Sequence, residues 1–139
     1  MSSVKSTEMT GGCLCGGVRY RITGPVRPIR YCHCSQCRRT SGHFVAATAV
    51  KTEELIFETN KSLAWFDSSE FASRGFCVRC GSSLFWKSKN RETISIMAGT
   101  LDHSHGLELA DHIFVNDKAD YYELTDDLPK IPQASSSQT

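Results

Sequence analysis

The sequence has 139 residues, the length of one ordinary domain, and its 40% hydrophobic and 22% charged residues are typical of a globular protein. A formal net charge of +1 at pH 7 excludes a strongly basic chain, so electrostatics give no reason to expect nucleic acid or an acidic membrane as a partner. No apolar run approaches the roughly 20 residues of a membrane-spanning helix, and residues 1–12 contain no apolar signal segment. We therefore expect a cytoplasmic protein without a membrane partner.

Short apolar or alternating runs, separated by turn residues, dominate the chain and predict strands. In chain order, the predicted strands are Gly17–Ile22, Phe44–Val50, Leu55–Glu58, Leu63–Phe66, Leu84–Trp86, Thr93–Met97 and His112–Val115. One short helix is predicted around Ser35–Thr40, ending at Gly42. The pattern predicts a mainly β single domain over residues 11–131, with a flexible N-terminus at 1–10 and a disordered tail at 132–139.

The seven cysteines fall into three closely spaced groups, C-x-C, C-x-C-x-x-C and C-x-x-C. Their members are Cys13 and Cys15, then Cys32, Cys34 and Cys37, then Cys77 and Cys80. Such spacing lets one turn direct two thiolates at a point about 2.3 Å from each sulfur, as zinc requires. In a reducing compartment this density of thiols, and their odd number, favour metal binding over disulfides.

The way in which these groups combine is open from spacing alone. Cys77 and Cys80 form half of a zinc site, which either Cys13 and Cys15 or two thiols of the middle group can complete. Structural zinc takes four protein ligands and catalytic zinc keeps one position open, so seven thiols favour a division into four and three. The middle group, with three thiols within six residues, can form the three-ligand site by itself. One structural site with three free thiols is the main alternative, and disulfides are the other.

Three segments, GGCLCGGVRY, CHCSQCRRTSG and FCVRCGSSLFW, together resemble the glutathione-dependent formaldehyde-activating enzyme family, which includes centromere protein V. The resemblance runs from about Gly11 to Leu128, and HIFVNDKADYYEL is similar to the family's C-terminal segment. Relatives often have Pro-Trp where this chain has Asp120 and Tyr121. The resemblance implies a tent-like, zinc-bound β-fold, similar in outline to the methionine-R-sulfoxide reductases. It also implies a structural zinc on the two outer pairs and a second zinc on the middle group.

A zinc ion with three thiolate ligands keeps one position for an exchangeable ligand. Zinc can lower the pKa of a bound thiol or polarise an aldehyde, and three thiolate donors favour the first kind of chemistry. The resemblance implies that glutathione adds to formaldehyde to give S-hydroxymethylglutathione, a carbon–sulfur lyase reaction with Cys32, Cys34 and Cys37 at the active centre. The competing hypotheses are a non-catalytic zinc module that binds a protein partner and a thiol redox enzyme with a metal-free cysteine.

Two arginines, Arg38 and Arg39, follow Cys37 directly. Because arginine binds carboxylates in a bidentate way, we predict that one of them holds a carboxylate of glutathione or of a similar thiol. A solvated pair on the short helix, or a counter-charge to the thiolates, is the alternative.

For the histidines and the aromatic residues, we predict structural positions and not roles in metal binding or catalysis. His33 lies between two cysteines and is expected to be beside the metal or exposed, not to be a ligand. His103, His105 and His112 are predicted at surface positions, with a proton donor or a fourth zinc ligand among them as the alternative. Core packing is predicted for four aromatic residues, with a pocket wall as the alternative: Trp65, Phe66, Phe85 and Trp86.

Overall fold

The computed structural model describes residues 8–133, which form two β-sheets, one short α-helix and three single-turn 3-10 helices. The strands are β1 (Met9–Gly12), β2 (Arg19–Ile22), β3 (Ile29–Cys32), β4 (Val45–Lys51), β5 (Leu55–Thr59), β6 (Leu63–Asp67), β7 (Ala72–Cys77), β8 (Ser83–Ser88), β9 (Thr93–Met97) and β10 (Leu109–Ile113), and the helix is α1 (Ser35–Ser41). One sheet has the order β10-β3-β4-β9-β8-β7-β6 and the other the order β1-β2-β5. The prediction of a mainly β single domain is confirmed. Within residues 8–133 no helix is long and apolar enough to cross a membrane.

Each of the seven predicted strands overlaps a strand of the structure, and Thr93–Met97 coincides with β9. The predicted helix is α1, which ends at Gly42 in the left-handed conformation, with φ at 88°. Strands β1, β3 and β7 were not predicted, because their own residues lack a clear apolar alternation. Pairing with neighbouring strands determines their conformation. Strand β1 begins at Met9, inside the segment predicted to be flexible. Residues 1–7 and 134–139 of the predicted flexible ends lie outside the described part of the chain.

The hydrophobic core joins the two sheets around an aromatic contact. The rings of Tyr20 on β2 and Phe85 on β8 meet edge to face, with centroids 5.5 Å apart. Ile22 and Ile96 pack into the same cluster, and all four side chains are almost wholly buried. Burying side chains of this size stabilises a fold by roughly 1.5–3 kcal/mol each. This core also contains Cys13 and Cys77, which belong to the first and last cysteine groups of the sequence.

Two of the four predicted core aromatics are exposed instead. Trp65 and Phe66 on β6 expose 44% and 60% of their surface. The reason is topological, because β6 is the last strand of the seven-stranded sheet. Phe85 is in the core as predicted, while Trp86 lines a cavity described below.

Strand β1 lies close to the turn before Leu101, and this contact leaves no room for a side chain at Gly11. Gly11 pairs with Tyr20 on one side and bridges Leu101 on the other. We expect Gly11→Ala to lower the free energy of unfolding by about 1–3 kcal/mol, since a Cβ there would overlap the Thr100 carbonyl oxygen and the Tyr20 hydroxyl.

Gly99→Ala is the matched control in chemical denaturation of the metal-loaded protein. A Cβ at Gly99 meets no atom within 4 Å, so its effect should stay within about 0.5 kcal/mol. Equal effects of the two substitutions would contradict the close packing of β1.

Candidate metal centres

Four of the seven thiols meet at one end of the core although two distant segments supply them. The Sγ atoms of Cys13 and Cys15 are 3.7 Å apart, and those of Cys15 and Cys77 are 3.6 Å apart. Together with Cys80, all four sulfurs lie within 4.8 Å of one another. A tetrahedral ion bound to sulfurs at 2.3 Å would separate them by about 3.8 Å, whereas a disulfide bond would need about 2.0 Å. The spacing therefore fits a four-coordinate metal and not a disulfide.

Two tight turns place these sulfurs. Gly16 and Gly81 have φ of 84° and 80°, the left-handed conformation that glycine adopts without strain, and they reverse the chain after each pair. The turns also direct amides at the sulfurs, with Val18 N donating to Cys13 Sγ at 3.3 Å and Cys80 N donating to Cys77 Sγ at 3.4 Å. Such hydrogen bonds favour the thiolate form that a metal requires.

Two serine hydroxyls complete this environment. Ser62 Oγ lies 3.1 Å from Cys77 Sγ, and Ser82 Oγ lies 3.3 Å from Cys80 Sγ. The hydrogen bond with Ser82 lowers the pKa of Cys80 to about 5, and that with Ser62 lowers the pKa of Cys77. Part of the first cluster is thus prepared to bind as thiolate at neutral pH.

The other three thiols form a second cluster where β3 passes into α1. The Sγ atoms of Cys32, Cys34 and Cys37 lie within 4.8 Å of one another. Cys34 is the N-cap of α1, and its sulfur accepts a hydrogen bond from Cys37 N at 3.4 Å. Hydrogen bonds from the thiols of Cys32 and Cys37 hold the pKa of Cys34 far below its usual value. The described residues therefore group the thiols as four and three, and each group can hold a metal ion.

A cavity of about 440 Å³ opens beside the second cluster. All three thiols of this cluster line it, and none of the first cluster does. Most of its wall is apolar and includes Val45, Phe71, Trp86, Met97 and Phe114. Its size and its mainly apolar surface are typical of small-molecule sites, and several polar side chains also line it.

Phe114 takes an unusual backbone conformation at this wall. Its φ is 58°, a left-handed value that costs a residue with a bulky side chain about 1–2 kcal/mol. A hydrogen bond from Val115 N to the Ile131 carbonyl, at 3.1 Å, holds the segment that follows. Backbone strain of this kind is concentrated at functional sites in proteins, which agrees with the position of Phe114 in the cavity wall.

The arginines of the cavity are not the two that sequence reasoning selected. Arg38 and Arg39 lie in α1 but do not line the cavity. Arg27, Arg30 and Arg74, which are distant from one another in the chain, line it instead. None of these arginines belongs to a recognisable sequence motif. Prediction of strand β7 would have singled out Arg74, because it would then have been a charged residue at an inward-facing strand position.

Only one of these three arginines has a carboxylate partner among the ion pairs of residues 8–133. Arg30 binds Asp111 through two hydrogen bonds of 3.0 Å. Arg27 donates instead to the carbonyl oxygens of Ala47 and Pro28, at 3.0 and 3.2 Å. Burial lowers the pKa of Arg27 to about 10, which still leaves it cationic at neutral pH.

A series of hydrogen-bonded polar side chains runs from the second cluster through two buried histidines to the exposed Asp126. His33 is 1% exposed, and its Nε2 lies 2.9 Å from His112 Nδ1 while its Nδ1 lies 2.6 Å from Tyr122 Oη. His112 Nε2 in turn lies 2.9 Å from a carboxylate oxygen of Asp126. Burial lowers the pKa of His33 to about 4, so the ring is neutral at pH 7. These hydrogen bonds connect the turn that carries Cys32 and Cys34 to the C-terminal segment.

The prediction of a surface position is wrong for His112, which is 3% exposed, while His103 and His105 are exposed as predicted. Strand β10 pairs in parallel with β3, so that His112 lies opposite Tyr31, one register position from Cys32. Sequence reasoning missed this contact because 79 positions separate His33 and His112 in the chain.

We expect Cys77→Ser to abolish the cooperative thermal transition or to make the protein insoluble. The metal would join segments 62 positions apart, and closing a loop of that length removes roughly 4 kcal/mol of entropy from the unfolded chain. Circular dichroism melting with metal analysis tests this. A variant that melts like the parent would rule out a structural role for the four-thiol cluster.

Cys34→Ser, in contrast, should keep most of the thermal stability while losing about one equivalent of bound metal. Its cluster closes no long loop, because its three ligands lie within one turn and the start of α1. If this variant unfolds as readily as Cys77→Ser under the same measurements, the two clusters do not divide into a structural and a functional site.

Several known proteins are similar to this chain in sequence or in fold. An uncharacterized lyase of Schizosaccharomyces pombe is 27% identical over 118 residues, which cover 84% of this chain and 85% of that protein. A Halomonas elongata protein, assigned by name to the glutathione-dependent formaldehyde-activating enzymes, is 28% identical over 85 residues, covering 55% of this chain and 54% of that one. A crystal structure of a Rhodobacter sphaeroides protein, 23% identical, superposes with a TM-score of 0.58 over 70% of this chain and 92% of its own, which supports the fold alone. The model of one family matches residues 8–117, and the chain therefore belongs to the glutathione-dependent formaldehyde-activating enzyme family.

Proposed function

We propose that this protein is a zinc-dependent carbon–sulfur lyase that makes and breaks the adduct of a small thiol with an aldehyde, with glutathione and formaldehyde as the pair. The observation that carries the proposal is the difference between the two clusters. Cys32, Cys34 and Cys37 open onto a cavity of about 440 Å³, whereas the four-thiol cluster does not line it. The family supports the same chemistry, and the Schizosaccharomyces pombe relative is named as a lyase.

The donor atoms support zinc in both positions. Seven sulfur donors in groups of four and three match the thiolate sites that zinc prefers, closed in structural sites and open in catalytic ones. When bound to Cys32, Cys34 and Cys37, zinc supplies a Lewis acid that lowers the pKa of a thiol at the open position.

The cavity supplies binding and exclusion of water. Its apolar wall, with Trp86, Met97 and Phe114, limits hydration of the reacting groups. Arg27 replaces Arg38 and Arg39 as the proposed carboxylate anchor, because it lines the cavity and no described ion pair includes it. A carboxylate of glutathione held there would orient the thiol toward the cluster.

The reaction needs no oxidant or reductant. The thiol sulfur forms a bond to the carbonyl carbon, the carbonyl π electrons move to oxygen, and the proton lost by the thiol ends on that oxygen. In the reverse direction the carbon–sulfur bond breaks and the same proton returns. The cysteines of the protein therefore stay in one oxidation state throughout.

A thiol redox enzyme is the second candidate, and the low pKa of Cys34 beside two further thiols favours it for a metal-free second cluster. Metal analysis of the native protein separates the two hypotheses, because a filled cluster leaves no free thiolate at Cys34. Two equivalents of zinc per chain support the lyase, and one equivalent with three alkylatable thiols supports the redox enzyme.

The protein should accelerate exchange between free formaldehyde and its glutathione adduct, measured by exchange spectroscopy at equilibrium, and Cys34→Ser should abolish the acceleration. Equilibrium exchange is the suitable readout because the uncatalysed reaction also runs, and mere binding of glutathione leaves the exchange rate per free adduct unchanged. No acceleration by protein with both sites filled would reject this pair of substrates.

Arg27→Gln refines the same measurement. The substitution should raise the glutathione concentration that gives half-maximal acceleration of exchange by about tenfold, as the loss of a charge-assisted hydrogen bond predicts. With 2-mercaptoethanol, a thiol without a carboxylate, the parent and Arg27→Gln should behave alike. An equal loss with both thiols would assign Arg27 a role in the fold and not in carboxylate binding.

A further inference from the structure

A buried arginine lies beside the second cluster, and no carboxylate of the described residues 8–133 forms an ion pair with it. Arg74 is in β7, exposes 6% of its surface and lines the cavity. Arginine cannot lose its proton in a protein, so burial cannot neutralise it as it can a lysine. A buried charge of this kind requires a partner of opposite charge close by.

Two hydrogen bonds of Arg74 go to neutral side-chain oxygens, and both are long. Its Nη1 donates to Thr40 Oγ1 and its Nη2 to Gln36 Oε1, both at 3.4 Å. The Nε has no hydrogen-bond partner among residues 8–133, and none of the ion pairs in that range includes Arg74. Among residues 8–133, no carboxylate therefore forms an ion pair with Arg74.

One contact identifies a group that can carry the missing negative charge. Arg74 Nη2 donates to Cys37 Sγ at 3.8 Å, a reasonable length for a hydrogen bond to sulfur. Three thiolates around a divalent ion have a net charge of −1. The single positive charge of Arg74 would bring that total to zero.

We propose that Arg74 is the counter-charge of the Cys32/Cys34/Cys37 cluster and makes its open position favour an anionic ligand over a neutral one. The proposal rests on the proposed function, since it requires a metal at this cluster. Without Arg74, an anion at the open position would meet a metal–thiolate group with a net charge of −1 in surroundings of low dielectric constant, where repulsion is strong. Arg27 also lines the cavity, but it donates to backbone carbonyls of Pro28 and Ala47. With Arg74 hydrogen-bonded to Cys37, the same anion meets a metal–thiolate–arginine group with no net charge.

This arrangement specifies the ligand class by charge. A deprotonated thiol or another soft monoanion suits the site, whereas neutral water or an uncharged nitrogen donor gains nothing from Arg74. Arg74 is thus a positioning residue that acts through Cys37 and through the charge of the cavity, and it needs no contact with the substrate carbon.

The test uses the full-length protein with cobalt(II) in both clusters, whose absorption spectrum changes when the open position gains a ligand. Thiocyanate, a soft anion, and imidazole, a neutral donor, are titrated separately at constant ionic strength. Arg74→Gln should weaken thiocyanate binding about tenfold or more and change imidazole binding by less than about twofold. Arg74→Lys, which keeps the charge, should recover most of the affinity for thiocyanate.

Arg21→Gln is the matched control for the loss of an arginine. Arg21 lies on β2 in the other sheet and pairs with Glu8 and Glu58, so its removal should alter neither titration. If Arg74→Gln does not fold, Arg74→Met retains the apolar stem and takes its place in the same titrations.

The outcomes separate this inference from the proposed function. If the parent takes up only one equivalent of cobalt, the metal at the second cluster is absent and the proposed function fails with it. If the parent takes up two equivalents but loses thiocyanate and imidazole affinity equally on replacement of Arg74, the function can stand while the charge role of Arg74 is wrong. A selective loss of the anion, recovered by lysine, supports the inference.

Discussion

The convergence of Cys13 and Cys15 with Cys77 and Cys80 is the constraint on which the rest of the structure depends. The first pair follows β1, and the second consists of the last residue of β7 and a residue of the turn to β8, in the other sheet. A metal bound there would join the two sheets at one end of the hydrophobic core, next to Tyr20 and Phe85. A domain of this size has a modest core, so a metal cross-link between distant segments makes a substantial difference to its stability.

Because the four-thiol cluster would hold that end of the core together, the second cluster can keep an open coordination position. Its cysteines come from the end of β3 and the first turn of α1, and they hold no distant segments together. The cavity beside them is bounded mainly by strands β3, β4, β7, β8 and β9, each of which pairs with a neighbour on both sides. A site that contributes little to the fold can keep an exchangeable position without a large cost in stability.

The surroundings of the second cluster come from distant parts of the chain. Arg74 reaches it from β7, and His33 behind it is held by His112 of β10 and Tyr122 of the C-terminal segment. Each neighbour addresses a different requirement, since arginine balances charge while the hydrogen-bonded histidines fix the turn that carries the thiols. Tyr121 belongs to the same C-terminal segment, with its hydroxyl 2.5 Å from His43 Nδ1.

The sequence by itself determined the features that depend on neighbours in the chain. The spacing of the cysteines, the glycines that reverse the chain at Gly16 and Gly81, and the helix that ends at Gly42 are all local, because a few consecutive residues specify a turn or a cap. Family membership followed from the same short segments and is confirmed. Only the tertiary structure decided that Arg74 and Arg27, and not Arg38 and Arg39, face the cavity, and that His112 is buried against His33. These contacts depend on which strands pair and in which register, and long-range burial settles that pairing for strands such as β3 and β7, whose own residues carry no clear pattern.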